Sequence, residues 1–326
     1  MPTQPVGQGE LTWFAEQFDA IAGNIERVIQ GKRDVVDLVV MSMVSEGHVL
    51  IEDVPGVGKT LLAKSLARSI HCSFQRIQFT PDLLPSDVTG VSVWDRERGD
   101  FVFRPGPVFA NIVLGDEINR ASPKTQAALL EAMEERQVTV DGSTRGLTPP
   151  FMVIATQNPI EHEGTYPLPE SQLDRFMMRL VMGYPSRAKE LEILETHGRG
   201  SSYVDLEPVV TGADVQRMVD IARRVYVSEP IKEYLVDTVE ATRHDPDLLL
   251  GASPRATLNL QRAARTRAAV EGRHYVTPDD VKAGLIPVLT HRMILRPEAQ
   301  MRGAVLEEIV EGIAGGVPVP GSGVRT

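Results

Sequence analysis

Asp53–Thr60, reading DVPGVGKT, stands between a short apolar run, HVLIED at 48–53, and a helical pattern, KTLLAKSLARSI at 59–70. Few folds accommodate such a segment. Gly56 and Gly58 let backbone amides turn inward with no Cβ in the way. A helix opening at Lys59 adds the positive end of its dipole. Strand, glycine loop and helix in this order build a cradle for phosphate oxygens. Asp53, Val54, Pro55, Gly56, Val57 and Gly58 form the loop, and Lys59, Thr60 and Leu61 open the helix. Lys59 is placed to reach β and γ phosphates, and Thr60 to offer its hydroxyl to Mg²⁺. The loop opens with Asp53, where glycine is usual.

Further short apolar runs follow at FQRIQF, ANIVLGDE, FMVIATQN and MMRLVMG, most of them separated by helical or long segments. Buried runs alternating with helices predict an α/β fold with a parallel sheet covered on both faces. Before the loop, Leu11, Phe14, Phe18, Ile21, Ile25 and Ile29 recur at steps of three and four, the spacing of one helix face. DVVDLVVMSMVSEG reads as a second helix. Two insertions read as hairpins: VSVWDRERGDFVFRP at 91–105, and QVTVDGSTRGLTPP with its Asp141-Gly142 turn. After Pro185 the strand runs stop, and helical patterns fill 187–197, 212–226, 230–243, 254–270 and 278–292. The 326 residues suit about two domains of ~150 residues. We expect an ATP-binding α/β core over 1–185, an all-helical domain over 186–312 and a mobile tail over 313–326.

The run NIVLGDEINR ends a buried strand in two acids. Asp116 can hold the hydration shell of Mg²⁺, and Glu117 can orient and deprotonate a water. FMVIATQNP ends its strand at Asn158, which could hydrogen-bond water and γ-phosphate. In PESQLDRF, Arg175 stands at the start of the next strand run, where it could point toward a neighbouring subunit's phosphate. Arg179 competes for that role. Arg255, in GASPRATLNL, opens a helix from which it could reach a phosphate across the domain cleft.

Composition narrows the alternatives. A net charge of -10 argues against broad electrostatic capture of nucleic acid, and 5% aromatic residues supply few stacking platforms. A nucleic-acid motor and a nucleotide-gated binding module remain the rival readings. The single cysteine, Cys72, excludes an intrachain disulfide and a cysteine-based zinc framework. The histidines are scattered, and EHEG at 161–164 lacks partners at metal-ligand spacing. Neither a secretory signal nor a membrane-length apolar stretch is seen, so the cytoplasm is the expected compartment.

Taken together, EDVPGVGKT, DEINRASPKTQAALLEAMEERQVT, ATQNPIEHEGTYPLPESQLDRF and SPRA resemble the MoxR family of AAA+ ATPases over roughly residues 15–300. The resemblance implies a five-stranded parallel sheet with two hairpin insertions and a helical lid. It also implies assembly into a hexamer or similar ring, with ATP and Mg²⁺ bound between subunits. Lys59, Thr60, Asp116 and Glu117 then take the Walker roles, Asn158 the first sensor, Arg175 the arginine finger and Arg255 the second sensor. The expected partner is a protein client, with a von Willebrand factor A domain.

Overall fold

The computed structural model describes residues 5–158, 165–185, 187–188, 190–191 and 203–320. The helix expected at 187–197 and the segment 161–164 lie largely or wholly outside them. Five parallel strands form the central sheet: β1 (Val49–Glu52), β2 (Phe74–Gln78), β5 (Ile112–Asp116), β8 (Met152–Gln157) and β9 (Met178–Leu180). Their spatial order is β2-β5-β8-β1-β9. The hairpin strands β3 (Gly90–Asp95) and β4 (Asp100–Pro105), and β6 (Gln137–Val140) and β7 (Ser143–Gly146), are antiparallel pairs outside it. Asp141 and Gly142 both have positive φ, as a two-residue turn of matching twist requires.

Strand alternation separates the two faces. Val49, Ile51, Ile112, Leu114, Met152 and Ile154 face one way, onto α1 (Gln8–Glu26), α2 (Arg33–Val44) and α3 (Lys59–Ser69). Leu50, Val113, Val153 and Ala155 face the other, onto Leu129, Leu130 and Met133 of α5 (Pro123–Glu135). Two short helices, α4 (Pro85–Thr89) and α6 (Glu170–Leu173), fill connections. Gly115 is the packing reason for a glycine inside β5: a Cβ there would lie 3.2 Å from Leu129 and 3.3 Å from Phe79.

Helices Gly212–Arg224, Glu229–His244, Pro254–Val270 and Pro278–Leu289 follow the sheet. The first opens on a capping box, Thr211 with Asp214. Pro254–Val270 packs on α1 and α2, and Pro278–Leu289 packs on β9, so one apolar cluster runs from the sheet into this region. Three details depart from expectation. The region after 185 is not all helical, because Leu248–Leu250 pairs antiparallel with Ile294–Leu295 where helix ends meet. Helix Leu306–Gly316 runs past the expected start of the tail at 313, and Val317 and Val319 pack on the core. Helix α1 stops at Glu26 rather than Ile29, although Ile29 remains buried in the turn to Gly31.

His48 ties the amino edge of the sheet together. Its Nδ1 accepts the Val153 N–H at 2.9 Å, and its Nε2 faces the Met133 carbonyl at 3.1 Å. Acceptance at Nδ1 needs the neutral ring, with Nε2 carrying the proton that it donates to Met133. Burial, aided by the nearby Arg136 charge, pushes its pKa down to about 3. The unfolded histidine titrates near ~6.5. Between these values only the unfolded chain takes up the proton. Folding stability is therefore full above ~6.5 and falls at lower pH by ~1.4 kcal/mol per unit from His48. Buried His291, also held well below its usual value, adds to the slope. Urea midpoints at neutral and mildly acidic pH should show this fall, and His48→Gln should make it shallower.

Candidate functional site: two edges of one sheet

At the carboxyl edge of the strands, a cavity of about 390 Å³ is lined by Pro55, Gly56, Gly58, Lys59, Thr60 and Leu61. Arg76, Asp116, Glu117 and Asn158 complete it. Gly56 has φ +89 with nothing within 4 Å of a notional Cβ, and Gly58, at φ +97, caps α3. The cavity thus lies at a helix amino end, a position that suits an anion. Lys59 Nζ donates to the Asp53 carbonyl at 2.7 Å. Burial holds the Lys59 ammonium below its usual range, against the pull of Asp116, Asp53 and Glu117 toward the charged form.

Not every loop residue faces the cavity. The buried Asp53 carboxylate accepts Val54 N–H at 2.8 Å and Gly183 N–H at 2.5 Å. It pins the loop to the chain leaving β9, which explains an acid where glycine is usual. Val57 packs on the apolar core. The side chains of Asp53 and Val57 therefore support the cradle from behind.

The acids are held by residues that sequence reasoning did not single out. Asp116 accepts from Thr156 Oγ1 at 2.5 Å and from Arg76 Nη2 at 2.6 Å. Glu117 accepts from Gln78 Nε2 at 2.8 Å and Arg120 Nη1 at 2.9 Å. Its backbone sits at φ +56, secured by its N–H donating to Thr156 Oγ1 at 2.9 Å. Such a conformation in a non-glycine residue costs about 1–3 kcal/mol and is held only by surrounding contacts. Arg76 and Gln78 lie on β2, whose residue Gln78 is in register with Asp116 of β5. The alternation in FQRIQF was the available signal, but not which strand would lie beside it.

Arg175 and Arg255 lie elsewhere. Arg175 precedes β9, whose Met178 is in register with Val49, the first residue of β1, whereas the Lys59 loop follows the last. A strand's length, ~13 Å at ~3.3 Å per residue, separates these edges. Arg175 Nε contacts Glu134 Oε2 at 2.9 Å, and Arg255 Nη2 bonds the other oxygen, Oε1. Arg255 was expected to close onto a phosphate in its own chain; it sits instead beside Arg175, because Pro254–Val270 packs on α1 and α2. Arg179, the rival to Arg175, is engaged internally by Glu52 at 3.1 Å and Glu307 at 3.3 Å. Asp174, next to Arg175 in the chain, accepts from buried Arg292 at 2.8 Å and from Ser253 Oγ at 3.0 Å, and its Oδ2 lies 3.8 Å from Arg255 Nε.

A model of the "ATPase family associated with various cellular activities (AAA)" matches residues 48–178, and an AAA lid domain model matches 240–313. The YeaC protein of Bacillus subtilis (strain 168) is 52% identical over 91% of this chain and 93% of its own length. Chaperone MoxR1 of Mycobacterium tuberculosis is 44% identical over 84% of this chain and 75% of its own. Protein MoxR of Methylorubrum extorquens is 31% identical over 98% of this chain and 100% of its own. A crystal structure from Cytophaga hutchinsonii, described as a candidate ATPase, superposes with a TM-score of 0.90 at 38% identity, over 95% of this chain and 97% of that one.

If the carboxyl-edge cavity is the nucleotide site, Lys59→Ala should lose ATP binding while the far-ultraviolet circular dichroism stays unchanged. A fluorescent ATP analogue reads the first quantity. Undiminished binding would refute the assignment.

Proposed function

This chain belongs to the MoxR family of chaperone-like AAA+ ATPases, and on that premise we propose that it works as a ring, hexameric as the resemblance implies, with ATP at each subunit seam. The observation that carries this is the separation of the Lys59 cradle from Arg175 and Arg255 across the sheet. One chain cannot bring both to one phosphate; two adjacent chains can. We take residues 1–185 as the core and 186–312 as the lid, with helix Leu306–Gly316 carrying the lid into the tail expected at 313–326.

We assign the chemistry by position. Loop amides and Lys59 hold the phosphates. Glu117 orients an attacking water and takes its proton, with Asn158 contacting water or γ-phosphate. Arg175, joined by Arg255, enters from the next subunit and stabilises the charge developing on the transferred group. Thr60 and Asp116 are hard oxygen donors on one cavity, a set that fits Mg²⁺ with the remaining positions filled by water and phosphate. That ion, when bound, would neutralise phosphate charge. Loss of γ-phosphate removes the anion that the trans arginines grip, and the seam loosens.

The work is done on a protein client, by kinship one carrying a von Willebrand factor A domain. Support for the hairpins as the client-facing parts is their surface: Trp94 and Phe101, 51% and 64% exposed, stack edge-on at 5.3 Å. Arg145 of the second hairpin covers Phe103 at 4.2 Å, so the two would move together. Among the described residues no helix is long and apolar enough to cross a membrane. We place the protein in the cytoplasm.

Glu117→Gln should slow hydrolysis by about 10²-fold or more while retaining ATP. Mixing Arg175→Ala with Glu117→Gln subunits should restore part of the lost rate, since the second supplies an arginine to the first's intact cradle. Mixed rings verified by native mass spectrometry that stay inactive would count against the seam.

A further inference from the structure

Glu134 is the last but one residue of α5 and stands at the amino edge of the sheet. Its two carboxylate oxygens are divided between two arginines from distant parts of the chain, Arg175 before β9 and Arg255 at the head of Pro254–Val270. The three side chains are 32%, 30% and 40% exposed respectively, so the pairs are open to exchange with an incoming anion. They border a cavity of about 300 Å³ that also carries Arg136, Arg262 and Glu46. Four guanidiniums line it with two carboxylates, and Asp174 Oδ2, 3.8 Å from Arg255 Nε, adds a third from behind. The excess positive charge suits an anion with more oxygens and more charge than one carboxylate. The backbone behind the pair is fixed, since Asp174 is tied to Arg292 and to Ser253. The arginine heads can therefore swing while their anchors stay in place.

We infer that Glu134 is a built-in stand-in for the neighbouring subunit's γ-phosphate, holding Arg175 and Arg255 in reserve until ATP arrives across the seam. This rests on the seam reading above. Glu134 acts through the two arginines, as a positioning residue that competes with the phosphate. A phosphate offers three terminal oxygens and greater charge, so the exchange runs toward ATP when a seam forms and back to Glu134 when the γ-phosphate is gone. The consequence is a penalty on assembly that ATP overcomes and ADP does not.

The test uses the full chain in the Glu117→Gln background, with assembly measured by sedimentation velocity across protein concentrations. Adding Glu134→Gln should lower the half-assembly concentration in ATP roughly fivefold, the scale of a partly exposed ion pair. It should leave the ADP value unmoved. In a chain that also carries Arg175→Ala, the gain should vanish, since it flows through that arginine. Glu134→Ala, which cannot pair at all, should repeat the gain. Unchanged or weaker ATP-driven assembly in both variants would overturn the inference, as would an equal gain with ADP or with Arg175→Ala. Failure of the Glu134-intact chain to assemble in ATP would instead remove the seam itself, and this inference with it.

Discussion

Five strands that run the same way give the sheet two chemically unlike edges. The carboxyl edge ends in the Lys59 loop, Asp116 and Asn158; the amino edge gathers His48, Glu134, Arg175 and Arg255. Parallel pairing, with the registers Val49↔Met178 and Gln78↔Asp116, keeps Arg175 and Arg255 at the opposite edge of the sheet from the Lys59 loop of the same chain. On the seam proposed above, the need for a second chain follows from strand direction, set before any side chain is chosen.

The parts of the site carried by contiguous residues were legible in the sequence. The glycine loop, the acids at the end of β5 and Asn158 each depend on one strand and its exit, and each sits where the apolar runs implied. Residues that act through a neighbouring strand were not legible. Arg76 and Gln78 occupy an ordinary alternating run, and only the pairing of β2 with β5 turns them toward the acids. Arg255 shows a different limit. Its place at a helix start was readable, but which edge that helix approaches was decided by packing on α1 and α2. The helix at Leu306–Gly316 was hidden by Gly312, Gly315 and Gly316, which each cost about 1 kcal/mol of helix propensity relative to alanine. Burial of Val310 against the rest of the core helps to hold it.

Both acids at the carboxyl edge are engaged by the chain's own donors. Arg76, with a side chain 46% exposed, makes a pair that solvent screens, so a divalent cation can compete for Asp116. Thr156 is different: its buried hydroxyl donates to Asp116 and accepts the Glu117 amide at once. One hydroxyl thereby sets the orientation of one acid and holds the strained backbone of the other. Its position within β8, beside β5, ties the spacing of the acids to the register of the sheet.

The two edges are joined by one helix. Helix α5 opens at Ser122, three residues past Asn119, and reaches Glu134 at the far edge. Its 13 residues span about 20 Å as a rod. Buried Gln126 donates to the carbonyls of Ile118, Ala121 and Tyr166, which fastens the start of the rod to the loop that carries Glu117. A helix packed through Leu129, Leu130 and Met133 into the sheet cannot bend cheaply. On the seam proposed above, α5 therefore joins the phosphate cradle of a subunit to the arginines that this subunit would offer its neighbour.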